Sequence, residues 1–178
     1  MRWLNACIAA AALVAGTAVW AADAPPQATS DDGRWRVAAE GQALAVYEHG
    51  VRVKMIGASR RDGQQRSTVA EIHAVPQRRS FVIAFDSLAE LWELSIDPNA
   101  EPLFDGLVHD WRLGEGMAEP GFLGLRRTPL GRPLRELQID DSGAFVLGRE
   151  TEEGGLRGAL RLVQLDVRRA IARFAAPS

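Results

Sequence analysis

The segment from Ser80 to Thr128, SFVIAFDSLAELWELSIDPNAEPLFDGLVHDWRLGEGMAEPGFLGLRRT, constrains the fold more than any other. An apolar run, Phe81 to Phe85, stops at the turn residues Asp86 and Ser87. A second run interleaves Leu91, Trp92 and Leu94 with Glu90 and Glu93, and stops at Asp97-Pro98-Asn99. A third short run, Leu107-Val108, delivers His109-Asp110. Short apolar and aromatic runs bounded by Asp, Ser, Asn and Pro predict strands joined by tight connections. Strand, turn, strand, loop, strand is an antiparallel meander.

The same grammar covers most of the chain. Arg34 to Ala39 and Leu44 to Glu48 read as strands around a Glu40-Gly41-Gln42 turn. His49-Gly50 is the next turn, after which Val51, Val53 and Met55 alternate with Arg52 and Lys54, the period of a half-buried strand. Arg60 to Arg66 is a polar loop turning at Asp62-Gly63. Thr68 to Val75 is a strand ended by Pro76, which cannot donate to a ladder. Leu113 to Pro133, rich in Gly and Pro, is a long irregular excursion with one short strand at Phe122 to Arg126. Leu134 to Ile139, the Asp140-to-Gly143 turn, Ala144 to Leu147, an acidic loop over Glu150 to Gly158, Leu160 to Leu165, a turn at Asp166 to Arg168 and Ala170 to Phe174 complete the pattern.

No stretch sustains a helical period, so the chain reads as all-β. About eleven or twelve strands make about three four-stranded blades of a β-propeller, whereas propellers close with four to eight. The expectation is an incomplete propeller-like array of antiparallel blades. Its open edges call for a second copy, another propeller protein, or an open array.

The N-terminus has a different character. Arg2, the apolar run Ala6 to Val19 and the small residues around Trp20 read as a secretory signal over 1–21, cleaved after Ala21, which predicts a periplasmic protein with no membrane attachment after cleavage. Residues 22–33, Pro-, Ser- and Asp-rich, read as a disordered leader, leaving 34–178 for the blades. The chain's one cysteine, Cys7, falls within the signal. The mature part therefore has no disulfide, thiol nucleophile or thiolate metal site. With 21 basic against 23 acidic residues and no basic stripe, nucleic acid is not an expected partner.

Several stretches together resemble a known family. Thr68-Val69-Ala70-Glu71-Ile72, Phe81-Val82-Ile83, Leu91-Trp92-Glu93-Leu94, Val108-His109-Asp110, Asp140 to Gly148 and Gln164 to Arg169 are similar to the propeller domain of the haem-d1 nitrite reductases (cytochrome cd1) and their periplasmic relatives that make or carry d1-type haem. The resemblance runs from about Leu44 to Phe174. It implies haem d1 as the cofactor and His109 over the haem iron, as metal ligand or proton donor. A neutral imidazole suits both roles; the structural alternative is a strand-end His bonded to Asp110 or Asp105. Arg126 and Arg127, with Arg132 and Arg135 nearby, suit the carboxylates of such a tetrapyrrole, or form a solvated loop cluster.

The departures from the family are as informative. No Cys-x-x-Cys-His is present for covalent haem attachment. The family's second His falls near Gln64 here, while His73 lies within a strand and His49 on a turn. Eight blades are expected in the family and about three are found. No nucleophile elbow, phosphate loop or clustered metal ligands appear, and Trp92 and Trp111 read as packing residues. The residues favour a non-catalytic interaction or assembly module. Carriage of a haem d1-like tetrapyrrole through His109 is the alternative, and nitrite reduction ranks last.

Overall fold

Turns space the strands along this chain. His49 and Gly50 both adopt positive φ, 48° and 80°, the backbone of a two-residue hairpin whose twist matches its flanking strands. They join β3 (Ala43–Glu48) to β4 (Val51–Gly57). The Asp140 carboxylate accepts the Phe145 amide at 2.8 Å and the Ser142 hydroxyl at 2.5 Å, closing the turn that Gly143 completes at φ +71°.

The computed structural model describes residues 24–103, 118–151 and 157–175. The segment expected to be a secretory signal and the third apolar run with His109 lie outside them. Within these residues, β1 (Gln27–Thr29), β2 (Trp35–Ala39), β3 and β4 form one four-stranded sheet. β5 (Val69–Val75), β6 (Ser80–Phe85), β7 (Glu90–Ser95) and β8 (Leu125–Pro129) form the second. β9 (Leu134–Ile139), β10 (Phe145–Thr151), β11 (Arg157–Gln164) and β12 (Arg169–Phe174) form the third. Each is an antiparallel meander in chain order. One 3₁₀ turn, Pro76–Arg78, links β5 to β6. These are three blades of an incomplete β-propeller, as the sequence predicts.

The first strands of the blades neighbour one another: β1 packs beside β5, and β5 beside β9. They form the inner edge, so β4, β8 and β12 are the outer strands. The middle blade is covered on both faces, and β6 shows the consequence. Phe81, Ile83 and Phe85 enter a core shared with Trp35, Val37, Leu44 and Val46 of the first blade. Val82 and Ala84, pointing the other way, enter a core shared with Leu134, Leu137, Val146 and Val163 of the third. Alternation along a strand with both faces packed explains why every residue of β6 is buried.

Three expectations need correction. The leader expected over 22–33 contains β1, which pairs with β2 through Ala28↔Val37 and is anchored by the Ala39 amide donating to the Pro26 carbonyl at 2.8 Å. Three polar-flanked residues carry too little apolar signal to be read as a strand, and the ladder is supplied by β2. The fourth strand of the middle blade is β8, later than the expected Phe122 to Arg126; its LRRTP sequence has no alternation because an outer strand has little to bury. β4 is not half-buried. Val51, Val53 and Met55 are 66%, 45% and 49% exposed, because β4 is an outer strand and, among the described residues, its blade has a neighbour on one side only.

Candidate functional site

The sequence-predicted arginines do not converge. Arg126 and Arg127 are successive residues of β8, so their side chains leave opposite faces of the sheet. The Arg127 guanidinium stacks 4.3 Å from the Trp92 ring centroid and donates to the Ser59 carbonyl at 2.9 Å. It ties the first two blades together. Trp92 is fully buried, edge-on to Phe85 at 4.5 Å, with its indole N–H on Glu90 at 2.6 Å; the packing role expected of it holds. Trp111, like His109, lies outside the described residues. Arg135, on β9, pairs with Asp86 of the middle blade.

Arg126 lies on the other side of β8, where the second and third blades meet. A cleft of about 260 Å³ there is lined by Arg78, Glu93, Ser95, Asp97 and Arg126. Its floor is an ion-pair network that the sequence reading missed, because Glu93 looks like the polar half of an amphipathic strand. Glu93 is only 5% exposed. Arg78 Nε donates to its Oε1 at 2.7 Å and Nη2 to its Oε2 at 3.2 Å, while Nη1 reaches Asp166 at 2.6 Å and the Ser80 hydroxyl adds a bond at 3.0 Å. Arg126 stands 3.8 Å from the same carboxylate. The Arg78 charge is held more firmly than usual, chiefly by Glu93. Paired so completely, these groups lock two blades and leave little charge for a ligand.

Nearer the inner edge, Glu71 does the same work. Its carboxylate accepts the backbone amides of Glu136 and Leu137 at 2.6 and 3.0 Å, and contacts His73 Nε2 at 3.0 Å. Glu136 takes φ 52°, which turns both amides toward the carboxylate. The His73 contact, then these two amides, hold the Glu71 pKa below its ordinary value against the opposing effect of burial. His73 is therefore a partner of a structural carboxylate, and His49 is an exposed turn residue.

A second cleft, about 220 Å³, opens between the first and second blades, with Trp35 and Phe122 edge to face at 5.7 Å and Ile96, Pro76 and Pro98 as apolar walls. Arg34 and Arg79 flank it, but each is already ion-paired, with Glu48 at 2.5 Å and Asp97 at 3.2 Å. Among the described residues no group of three His, Cys, Asp or Glu side chains is placed to hold a metal, and neither described His lines these clefts. The described residues thus do not themselves build an axially ligated haem site.

The two end faces of the described blades differ in character. On the first blade, the face turned away from the middle blade carries Ala38 and Ala45, paired across β2 and β3 and themselves buried at 6% and 0% exposure. Both belong to neither core, and they lie between Arg36 stacked on Tyr47 at 4.0 Å and the half-exposed Met55 opposite Ala45. On the third blade, Leu147 pairs with Leu162 and Leu162 with Ala172, while Leu160 pairs with Phe174. This face points away from Val146 and Val163, and none of its leucines joins either core. One end is a small-residue floor with a rim; the other is a ridge of leucines with Phe174 half exposed.

No protein-family model matches this chain, and no curated protein matches it. Solved structures do. The chain is similar to the dihydro-haem d1 dehydrogenase NirN in complex with DHE, at 21% identity and a TM-score of 0.63, over 85% of this chain and 28% of that one. It is also similar to the β-propeller domain of Cps50 (Swd1) from Myceliophteria thermophila, at 8% identity and a TM-score of 0.56, over 86% of this chain and 44% of that domain's chain. The chain spans less than half the length of either. At these identities the likeness is one of fold, and with the three stacked meanders it makes the described chain a three-bladed segment of a β-propeller.

Proposed function

We propose that this chain is a periplasmic, non-catalytic interaction or assembly module related to haem-d1 proteins, which meets another chain through its open blade edges and end faces. The observation that carries this reading is the contrast within one fold. The middle blade buries both faces, while the outer blades leave Met55 at one end and Phe174 at the other about half exposed, at 49% each. A propeller blade is apolar on both sides because it packs on both sides, and apolar surface of this kind marks an interaction site. The apolar N-terminal segment supports the periplasmic address.

Native mass spectrometry of the protein recovered from its own periplasm tests the reading. A complex larger than one chain supports it. A single chain, free of any partner, sinks it.

A second reading is carriage of a haem d1-like tetrapyrrole. It is favoured by the family resemblance and by the similarity to a dehydrogenase named for dihydro-haem d1. It rests on His109, since the described residues offer no axial imidazole in a cleft, and the same measurement addresses it. A mass excess equal to a tetrapyrrole, with an absorption band lost in His109→Ala, would move the function to the cofactor.

A further inference from the structure

We infer that the cleft between the first two blades binds a short extended peptide carrying an apolar residue beside a basic one, the apolar side chain seated between Phe122 and the two prolines and the basic one on Asp31. The site lies apart from the blade edges and end faces, so it does not depend on the assembly reading above.

Connections build this cleft. Asp31 and Asp32 belong to the turn from β1 to β2, Pro76 and Arg79 to the link from β5 to β6, Ile96 and Pro98 to the segment after β7, and Phe122 to the segment before β8. Binding residues are commonly carried on such connections and positioned by the strands beneath them. Trp35, only 4% exposed, roots the site in the core that the two blades share. The volume of about 220 Å³ falls below the roughly 300–1,000 Å³ of pockets for drug-sized ligands. It fits a side chain and is too small to enclose a tetrapyrrole.

The walls point to a peptide. Trp35 and Phe122 meet edge to face, with Pro76, Pro98 and Ile96 around them. Grooves lined by aromatic side chains are surfaces on which extended peptides dock. Among the described residues the Trp35 indole N–H makes no hydrogen bond, and it is not sealed from solvent. A largely buried indole N–H usually finds a partner. A main-chain carbonyl of a bound peptide supplies one, at the same place where the rings receive its apolar side chain.

Charge selects the neighbouring residue. Arg34 and Arg79 are paired with Glu48 and Asp97, neither of which lines the cleft. Asp32 accepts the Ser30 hydroxyl at 2.6 Å and the Arg34 amide at 3.0 Å, which together hold its carboxyl below the ordinary range. Asp31 is exposed and has no partner among the described residues. Two carboxylates therefore stand at the cleft beyond its paired arginines, and the complementary ligand is a cation. An acidic peptide would set like charge against them. The cleft between the second and third blades offers no such complement, because Arg78 and Glu93 fill its floor with each other.

Two acetylated, amidated hexapeptides test the site, one alternating leucine with arginine and the other leucine with glutamate. Each is titrated into the isotope-labelled secreted chain while the Trp35 indole N–H is followed by NMR, its signal identified by its loss in Trp35→Phe. The expected result is a saturable shift of that signal with the arginine peptide and none with the glutamate peptide. Asp31→Asn changes an exposed side chain without partners, so it keeps the fold, verified by unchanged circular dichroism; it should weaken binding about threefold to fivefold. Phe122→Ala should weaken it at least about tenfold. No shift up to millimolar arginine peptide overturns the inference. A shift that both peptides cause equally, or one indifferent to either substitution, overturns it as well, since the peptide then attaches without the cleft or without its charge.

Discussion

Arg78 holds Glu93 with two prongs, Nε to Oε1 at 2.7 Å and Nη2 to Oε2 at 3.2 Å, at the seam of the second and third blades. The carboxylate is 6% exposed and the arginine side chain 14%. Removing one member of such a pair leaves the other charged and dry, which typically costs about 3–5 kcal/mol, whereas replacing both with apolar residues costs far less. Arg78→Met is expected to lose that amount in urea unfolding. The double variant Arg78→Met/Glu93→Leu is expected to recover most of it. A double variant as unstable as the single one would show that Asp166, and not Glu93, is the Arg78 partner that matters.

Glu71 makes stability fall in acid. Its folded pKa lies below its ordinary value of 4.5, first through His73 and then through the amides of Leu137 and Glu136. A depressed carboxylate pKa contributes stability that is present above the unfolded value and lost as pH falls through the folded one. The stability gap between wild type and Glu71→Gln should therefore be full near neutrality and shrink steadily below about pH 4.5. Glu150 works in the same direction: burial, the largest single effect, opposes ionisation, but Arg161 and Arg173 together outweigh it. Parallel unfolding curves for Glu71→Gln and wild type across that range would argue against the bond to the third blade.

Gly143 is required twice. Its φ of +71° suits glycine, and a Cβ there would meet Val75 Cγ1 at 2.7 Å. Gly143→Ala should cost about 1–3 kcal/mol. Gly41, at φ +60° with open space around it, should lose only about 1 kcal/mol on the same change. Equal losses at the two sites, measured by thermal unfolding, would remove the packing part of the argument.

Arg127 and Arg126 should separate cleanly. Arg127→Ala breaks the stack on Trp92 and the bond to Ser59, and is expected to cost about 1–2 kcal/mol. Arg126→Ala, with a longer contact and a side chain about a third exposed, should cost less than about 1 kcal/mol. A reversed order in chemical denaturation would place the inter-blade tie at Arg126.

The sequence by itself determined the local grammar. Turns such as His49-Gly50, Asp140 to Gly143 and Asp166 to Arg168 were legible because turn chemistry depends on a few adjacent residues, and their spacing determined an all-β chain of about three blades. Tertiary structure decided what each strand faces. β1 is a strand only because β2 offers a ladder to a polar segment. Glu93 is buried only because a third blade stacks on it, and Arg126 and Arg127 diverge because a strand sends neighbours to opposite faces. Val53 and Met55 carry the pattern of a half-buried strand, yet they stand in water because burial is a property of the neighbouring blade, and that neighbour is not encoded within the strand.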